Sequence, residues 1–262
     1  MQNELKIAII QSDLVWENPE QNRMRFSTKM ESIKDKIDLI VLPEMFTSGF
    51  TMNPERVAET MSGATVQWMK HQSNEKNAAI LGSIVISEDG NFFNRLLFVM
   101  PNGDVTYYDK RHTFTLAGEH KVYEKGQEQF IQTYKGWRLC TLICYDLRFP
   151  VWARNTQNYD VLLYVANWPE TRIDAWDTLL KARAIENMSY CIGVNRVGKD
   201  GKGLLYNGSS AVYDVLGNKL TTLPLGEEAV AIITLKKDHI QDYREKLKFL
   251  DDKDEFTMYA KS

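Results

Sequence analysis

The sequence predicts an α/β or α+β fold, and two observations carry that expectation. Short, strongly apolar runs of strand length (Leu5 to Ile10, Asp38 to Leu42, Tyr159 to Ala166) alternate with segments whose apolar residues recur at helical spacing. Asp89-Gly90 and Asn102-Gly103 supply hairpin turn signals on either side of a strand candidate. A chain of 262 residues with 44% hydrophobic content can bury one sizeable core, and no low-complexity linker interrupts it. Residues 1–262 are therefore expected to form a single domain.

The elements follow in order. Leu5 to Ile10 opens a sheet. Asn18-Pro19-Glu20 then caps a helix with proline in its first turn and an acid beside its dipole, and the spacing of Phe26, Met30, Ile33 and Ile37 carries that helix onward. Asp38 to Leu42 is apolar on both faces, as a central strand is. Ser62 to Lys76 reads as a helix with Val66 and Met69 inward. Ala78 to Ser87, Asn94 to Met100 and Val105 to Tyr108 read as strands, and residues 111–126 as a long polar loop. Leu139 to Ile143 is a buried-strand run, with a helix start at Pro150. Tyr159 to Ala166 repeats the texture of Ile37 to Leu42, an Asp followed by an apolar strand and then polar residues, which suggests two similar halves. Asp174 to Ser189 is helical, with Trp176, Leu180 and Ala184 on one face. Tyr190 to Arg196, Ser209 to Asp214 and Ala229 to Leu235 are strands. Asp242 to Leu250 is a charged terminal helix before the acidic run 251–255.

Composition narrows the function classes. The net charge of −3 comes from interspersed acids and bases, which offers nucleic acid no broad basic surface, so the expected partner is a small molecule. Three cysteines (140, 144, 191) in a chain of this size fit a reducing compartment better than a disulfide framework. The N-terminus reads as a first strand and not a signal peptide, and no run approaches the roughly 20 apolar residues of a membrane span. A cytoplasmic location with no membrane association is the expectation. The four histidines are scattered without a recognisable ligand set, and no phosphate-binding glycine fingerprint appears, so neither a metal nor a nucleotide cofactor is expected.

Three strand ends carry reactive groups. Leu139 to Ile143 runs into Cys144, Ile37 to Leu42 ends at Pro43-Glu44, and Val105 to Tyr108 ends at Asp109-Lys110. In α/β sheets, sites collect outside the carboxyl ends of strands. A thiol, a carboxylate and an ammonium there would supply a nucleophile, a base and an electrophilic stabiliser. Free backbone N–H groups at the turn after Ile143 would also favour the thiolate. The plainer reading of a lone cysteine is a buried apolar filler, which is how Cys140 and Cys191 read. Cys144 differs by its polar company, Tyr145, Asp146 and Arg148.

At these residues the sequence resembles the nitrilase superfamily of carbon–nitrogen hydrolases, with their Glu-Lys-Cys triad. The matching pieces are Leu42-Pro43-Glu44-Met45, Tyr108-Asp109-Lys110-Arg111-His112 and Cys144-Tyr145-Asp146-Leu147-Arg148-Phe149-Pro150. Glu44 to Phe50, Val165 to Pro169, Ala182 to Asn187 and Asn195 to Gly198 resemble the omega-amidase branch. The resemblance implies a four-layer αββα sandwich and catalysis by Glu44, Lys110 and Cys144. It also implies a further active-site glutamate at Glu119, with Glu124 as the competing position, and a homodimer with the C-terminal segment 240–262 at its interface.

The chemistry implied is amide hydrolysis through a thioester. Glu44 would serve as general base, and Lys110 with the backbone N–H of Tyr145 would face the oxyanion. Omega-amidases cleave the terminal amide of short 2-oxo dicarboxylic acid monoamides. Phe46, Tyr145, Phe149 and Trp168 are candidate pocket walls, and Phe50, the second aromatic of the loop that begins at Phe46, could wall a pocket or simply pack that loop. Arg148, Arg172 and Arg196 are candidates for the substrate's distal carboxylate, with Thr171 adding a hydroxyl. Arg148 is equally placed to pair with Asp146. Competing readings are another carbon–nitrogen hydrolase, such as a nitrilase or carbamoylase, and a non-catalytic ligand-binding scaffold on the same fold.

Overall fold

The computed structural model describes residues 2–258. The first half of the chain comprises β1 (Glu4–Gln11), α1 (Pro19–Ser32), β2 (Leu39–Val41), α2 (Ala64–Lys76), β3 (Ala79–Glu88), β4 (Asn91–Val99) and β5 (Val105–Asp109). The second comprises β6 (Ile131–Tyr134), β7 (Trp137–Ile143), α3 (Pro150–Ala153), β8 (Val161–Ala166), α4 (Ile173–Asn187), β9 (Tyr190–Asn195), β10 (Val197–Lys199), β11 (Leu205–Asn207) and β12 (Ala211–Tyr213). β13 (Ala229–Lys236) then returns to the first sheet, and α5 (Lys237–Leu247) follows.

Two mixed sheets result, ordered β13-β1-β2-β3-β4-β5 and β12-β9-β8-β7-β6. Alternation along β1 sorts the layers. Leu5, Ile7 and Ile9 join Trp137, Leu139 and Leu163 of the other sheet in one interior, whereas Ala8 and Ile10 join Phe26 and Met30 of α1 and Val66 and Met69 of α2. On the far side α4 lies on β9, and a Cβ at Gly193 would come within 2.4 Å of Leu180 and 2.6 Å of Trp176, so only glycine admits the helix so closely. Helix, sheet, sheet and helix stack as the resemblance implied.

The expected echo between halves is a shared hydrogen-bond frame. β1, β2 and β3 are parallel, and so are β7, β8 and β9. Asp38 sits before β2, takes the Lys6 N–H on Oδ2 at 2.9 Å, and its backbone bonds Lys6 and Ala79. Asp160 stands in the same place before β8, with the Arg138 N–H on Oδ2 at 2.9 Å and backbone bonds to Arg138 and Tyr190. A lysine reaches each carboxylate, Lys135 at 2.5 Å and Lys237 at 3.1 Å.

Several boundaries differ from expectation. α1 stops at Ser32 because Ile33 turns extended, so Ile37 is buried from a loop instead of a helix face. β6 was not anticipated; it is joined to β7 by Lys135-Gly136, both at positive φ, a turn without an Asn-Gly or Asp-Gly signal. The glycine-rich stretch 198–203 is the tip of the β10–β11 hairpin. The terminal helix begins at Lys237, five residues earlier than its charge pattern suggested, with Ile240, Tyr243 and Leu247 inward. Among the described residues no helix is long and apolar enough to cross a membrane. Residues 259–262 of the C-terminal segment lie outside the described residues.

Candidate active site

β2, β5, β7 and β8 deliver their polar followers to one edge. Glu44, Lys110 and Glu119 meet there, all fully buried. Lys110 Nζ donates to Glu44 Oε1 at 2.9 Å and to both oxygens of Glu119 at 3.0 Å. Glu44 Oε2 accepts the backbone N–H of Asn167 at 2.8 Å, and Asn167 Nδ2 donates to the Glu44 carbonyl at 2.6 Å, tying the end of β2 to the end of β8. Glu119 reaches the cluster from a 3-10 turn within the long loop, and its Oε2 also takes the Phe114 N–H at 2.5 Å. Glu124, the competing position in the loop, is exposed, whereas Glu119 is the one that meets Lys110.

Cys144 follows β7 with φ of +43°, and its sulfur lies 3.9 Å from the Asn167 carbonyl. A left-handed backbone at a non-glycine residue costs of the order of 1–3 kcal/mol and persists where the surroundings enforce it. Asp146 is the enforcer, accepting the Ile143 N–H, the Tyr108 hydroxyl and the His112 N–H at 3.0, 2.8 and 3.0 Å. His112 is thereby a loop-packing residue, its ring also bonded to Asp146 and stacked on Phe149 at 3.7 Å.

Burial, then the Glu44 carboxylate, push the Cys144 thiol well above the ordinary thiol range, and Lys110 offsets them in part. That direction favours the protonated thiol, the form from which a general base is needed. Burial alone would lower Lys110, but Glu119 and then Glu44 outweigh it and hold the ammonium charged. Glu119 is raised, by burial first and by the charge of Glu44.

The cluster opens into a cavity of about 110 Å³ that Cys144, Lys110 and Asn167 floor. Phe50, Phe114, Tyr145 and Trp168 wall it, and Arg148, Arg172 and Lys202 stand around it.

The sequence profile described as carbon-nitrogen hydrolase matches residues 6–245. The chain belongs to the carbon–nitrogen hydrolase family. It is 44% identical over 256 residues to omega-amidase YafV of Yersinia enterocolitica, covering 97% of this chain and 98% of that one. It is 29% identical over 251 residues to a 2-oxoglutaramate amidase of Bacillus subtilis, covering 94% and 96%. The crystal structure of XC1258 from Xanthomonas campestris, a CN-hydrolase superfamily protein with an arsenic adduct in its active site, superposes with a TM-score of 0.96 at 40% identity, covering 98% of this chain and all of that one.

Within this carbon–nitrogen hydrolase the remaining sequence candidates separate. Arg148 lies 4.9 Å over the Trp168 ring and Arg172 lies 5.3 Å over Phe114, and both line the cavity. The pairing of Arg148 with Asp146 is not made, since Asp146 faces inward to Tyr108, His112 and Ile143. Phe46 is not a wall: it is buried edge-on against Phe26 and beside Trp68, and of the two aromatics in its loop it is Phe50 that lines the cavity. Thr171 points to solvent outside the cavity. Arg196 is buried as a strut, donating to Asp13 at 2.9 Å and to the carbonyls of Val197 and Lys199. Phe149 is spent on His112. Sequence reasoning missed Asn94, whose Nδ2 donates to Glu44 Oε1 at 2.8 Å, and it missed Asn167, Phe114 and Lys202. Asn167 had a signal in its position directly after β8, the place Glu44 and Cys144 hold after theirs.

Proposed function

We propose that this carbon–nitrogen hydrolase is a cysteine amidase of omega-amidase type, releasing ammonia from short 2-oxo dicarboxylic acid monoamides such as 2-oxoglutaramate. The observation that carries the reading is that Lys110 and Cys144 floor a narrow cavity with three cations around it, while Glu44 lies behind them, bonded to Lys110 and beside the Cys144 thiol. Relatives named omega-amidase and 2-oxoglutaramate amidase, each matched along nearly its whole length, support the substrate class.

The steps follow from the charges. Because the thiol rests protonated, Glu44 takes the S–H proton as sulfur attacks the amide carbonyl. Lys110 and the Tyr145 N–H stabilise the oxyanion; one such donor is worth about 3 kcal/mol in the transition state. The C–N bond breaks as Glu44 passes its proton to nitrogen, ammonia leaves, and a thioester remains on Cys144. Water, deprotonated by Glu44, then attacks that carbonyl; the C–S bond breaks and sulfur regains its proton from Glu44. Glu119 holds Lys110 in place throughout. Arg148, Arg172 and Lys202 receive the distal carboxylate, and the aromatic walls limit the chain to a slender one. The acting species is proposed to be a homodimer that uses the C-terminal segment, where Phe249, Phe256 and Met258 are exposed; sedimentation of the intact chain against one truncated before Phe249 tests that.

Ammonia release across short monoamides, matched neutral amides, nitriles and N-carbamoyl amines tests the reading. Highest kcat/KM on the 2-oxo monoamides is expected. Exclusive turnover of nitriles or N-carbamoyl amines would replace it with the sister activities.

A further inference from the structure

Asn94 is a buried polar residue in the middle of β4, facing a charge cluster that the reaction needs in one protonation state. Its Nδ2 lies 2.8 Å from Glu44 Oε1 and 3.4 Å from Glu119 Oε1, while its own carbonyl accepts the Lys110 N–H at 3.0 Å. One residue thus contacts the backbone of the cation and the side chains of both anions. The same two carboxylate oxygens also converge on Lys110 Nζ, at 2.9 and 3.0 Å. Two carboxylates gathered on one ammonium in a dry interior carry an excess negative charge. Like-charged carboxylates at close range relieve that excess by binding a proton between them. A proton held there would cancel Glu44 as an acceptor for the Cys144 proton.

The amide group is suited to prevent this. It offers two N–H donors in one plane, and donors to a carboxylate favour its charged form. The Asn94 Oδ1, by contrast, has no hydrogen-bond partner among the described residues. The side chain is therefore oriented by what its nitrogen gives and not by its oxygen. Other groups facing the pair are Lys110 from the end of β5, Cys144 from the end of β7, the Asn167 N–H from the end of β8, and Tyr123, whose hydroxyl is committed to the Thr51 carbonyl at 2.8 Å. None of them spans both carboxylates except Lys110.

We propose that Asn94 is a positioning residue for the proton transfer: giving one N–H to each carboxylate, it holds Glu44 and Glu119 as separate acceptors and keeps the base free for the Cys144 proton. The inference rests on the amidase reading in making Glu44 the base, but its test does not need an amide substrate.

The test compares wild type with Asn94→Leu, which removes the donors at similar volume, and Asn94→Asp, which keeps the shape and exchanges the donor for a further carboxyl oxygen. The pH profile of kcat/KM on 2-oxoglutaramate and the pH profile of Cys144 alkylation by iodoacetamide are both recorded. In Asn94→Leu the acid limb of both profiles is expected to move up by about one pH unit, the shift that a lost charge-assisted hydrogen bond of ordinary strength produces, so that kcat falls by up to about tenfold on that limb with KM within about twofold. Asn94→Asp is expected to move the limb further, and activity in both variants to recover toward wild type as pH rises. Unchanged profiles in either folded variant would overturn the proposal. So would a loss of activity equal at every pH, which is what a merely structural role predicts. If Asn94→Leu does not fold, Asn94→Asp decides alone. If wild type turns over no amide, the alkylation profiles still answer, and the failure belongs to the amidase reading.

Discussion

The two sheets share a frame and differ at its ends. In each, three parallel strands run from an aspartate that ties the start of the middle strand to its neighbours, Asp38 in one and Asp160 in the other. At the opposite ends the first sheet presents Glu44 and Lys110, the second Cys144 and Asn167. In the proposed reaction the first sheet supplies the proton acceptor and the fixed charge, and the second supplies the sulfur and the N–H that bonds the acceptor. Neither half is a site by itself. The frame is what a repeated sheet needs to pair its strands; the site comes from the different letters placed after it.

The largest expected effects separate the roles of the two ends. Cys144→Ala and Glu44→Gln should each lower kcat by roughly 10⁴-fold or more, the scale on which loss of a nucleophile or its base acts. They should differ in labelling, since Glu44→Gln retains a thiol that iodoacetamide modifies once per chain and Cys144→Ala does not. Equal activity in either variant would show that the halves do not divide the work this way.

Lys110→Met should be the most destabilising change at the site. It strands two buried carboxylates, a loss of about 3–5 kcal/mol on the scale of broken buried ion pairs. Glu119, already raised by burial and by the charge of Glu44, takes up a proton as pH falls, so the melting temperature of this variant should rise relative to wild type on acidification. A deficit that does not change with pH would contradict the charge balance drawn for the cluster.

The cavity mouth should respond more gently. Arg148→Met should raise KM about tenfold for carboxylate-bearing monoamides and leave matched neutral amides within about twofold, on the scale of one charge-assisted hydrogen bond. Loss on both substrate types would assign Arg148 to the packing of Trp168 instead.

Smallest is the frame itself. Asp38→Asn should cost about 1 kcal/mol in chemical denaturation, because water reaches the Lys135 pair, and Asp160→Asn a similar amount. Burial would raise the Asp38 carboxyl, but the bonds from Lys135, the Lys6 N–H and Gln2 more than offset it and leave it below the ordinary range. A depressed folded-state value means that its stabilisation is present above about pH 4, the unfolded value, and is lost as pH falls below that. Asp38→Asn should therefore lose its difference from wild type in that acid range.

Much of this was legible in the sequence, for reasons specific to each part. The strand ends at Glu44, Lys110 and Cys144 could be read because apolar runs stop abruptly at reactive letters. Glu119 came only through resemblance, since nothing local distinguishes it from Glu124; the Phe114 N–H that fixes it is a three-dimensional fact. Phe46 and Phe50 bracket one loop with equal chemistry, and only the turn between them, with Gly49 at positive φ, decides which faces the cavity. Arg196 looked like a substrate ligand because a strand-end arginine is as good a letter as Arg148; its partner Asp13 lies far back in the chain. Asn94 carried a signal that went unread, a polar side chain inside an apolar strand pattern, where burial without a partner would be costly. Lys202 had none, because a glycine-rich stretch does not announce the β10–β11 hairpin that carries it to the cavity.

In the proposed reaction the two sheet ends cooperate through a covalent bond to one sulfur. Intact-protein mass spectrometry of enzyme quenched in acid during turnover of 2-oxoglutaramate tests it directly. The expected result is a mass increase equal to the substrate less ammonia, mapped to the peptide holding Cys144 and abolished in Cys144→Ala. Steady turnover with no such adduct, undiminished in Cys144→Ala, would contradict it.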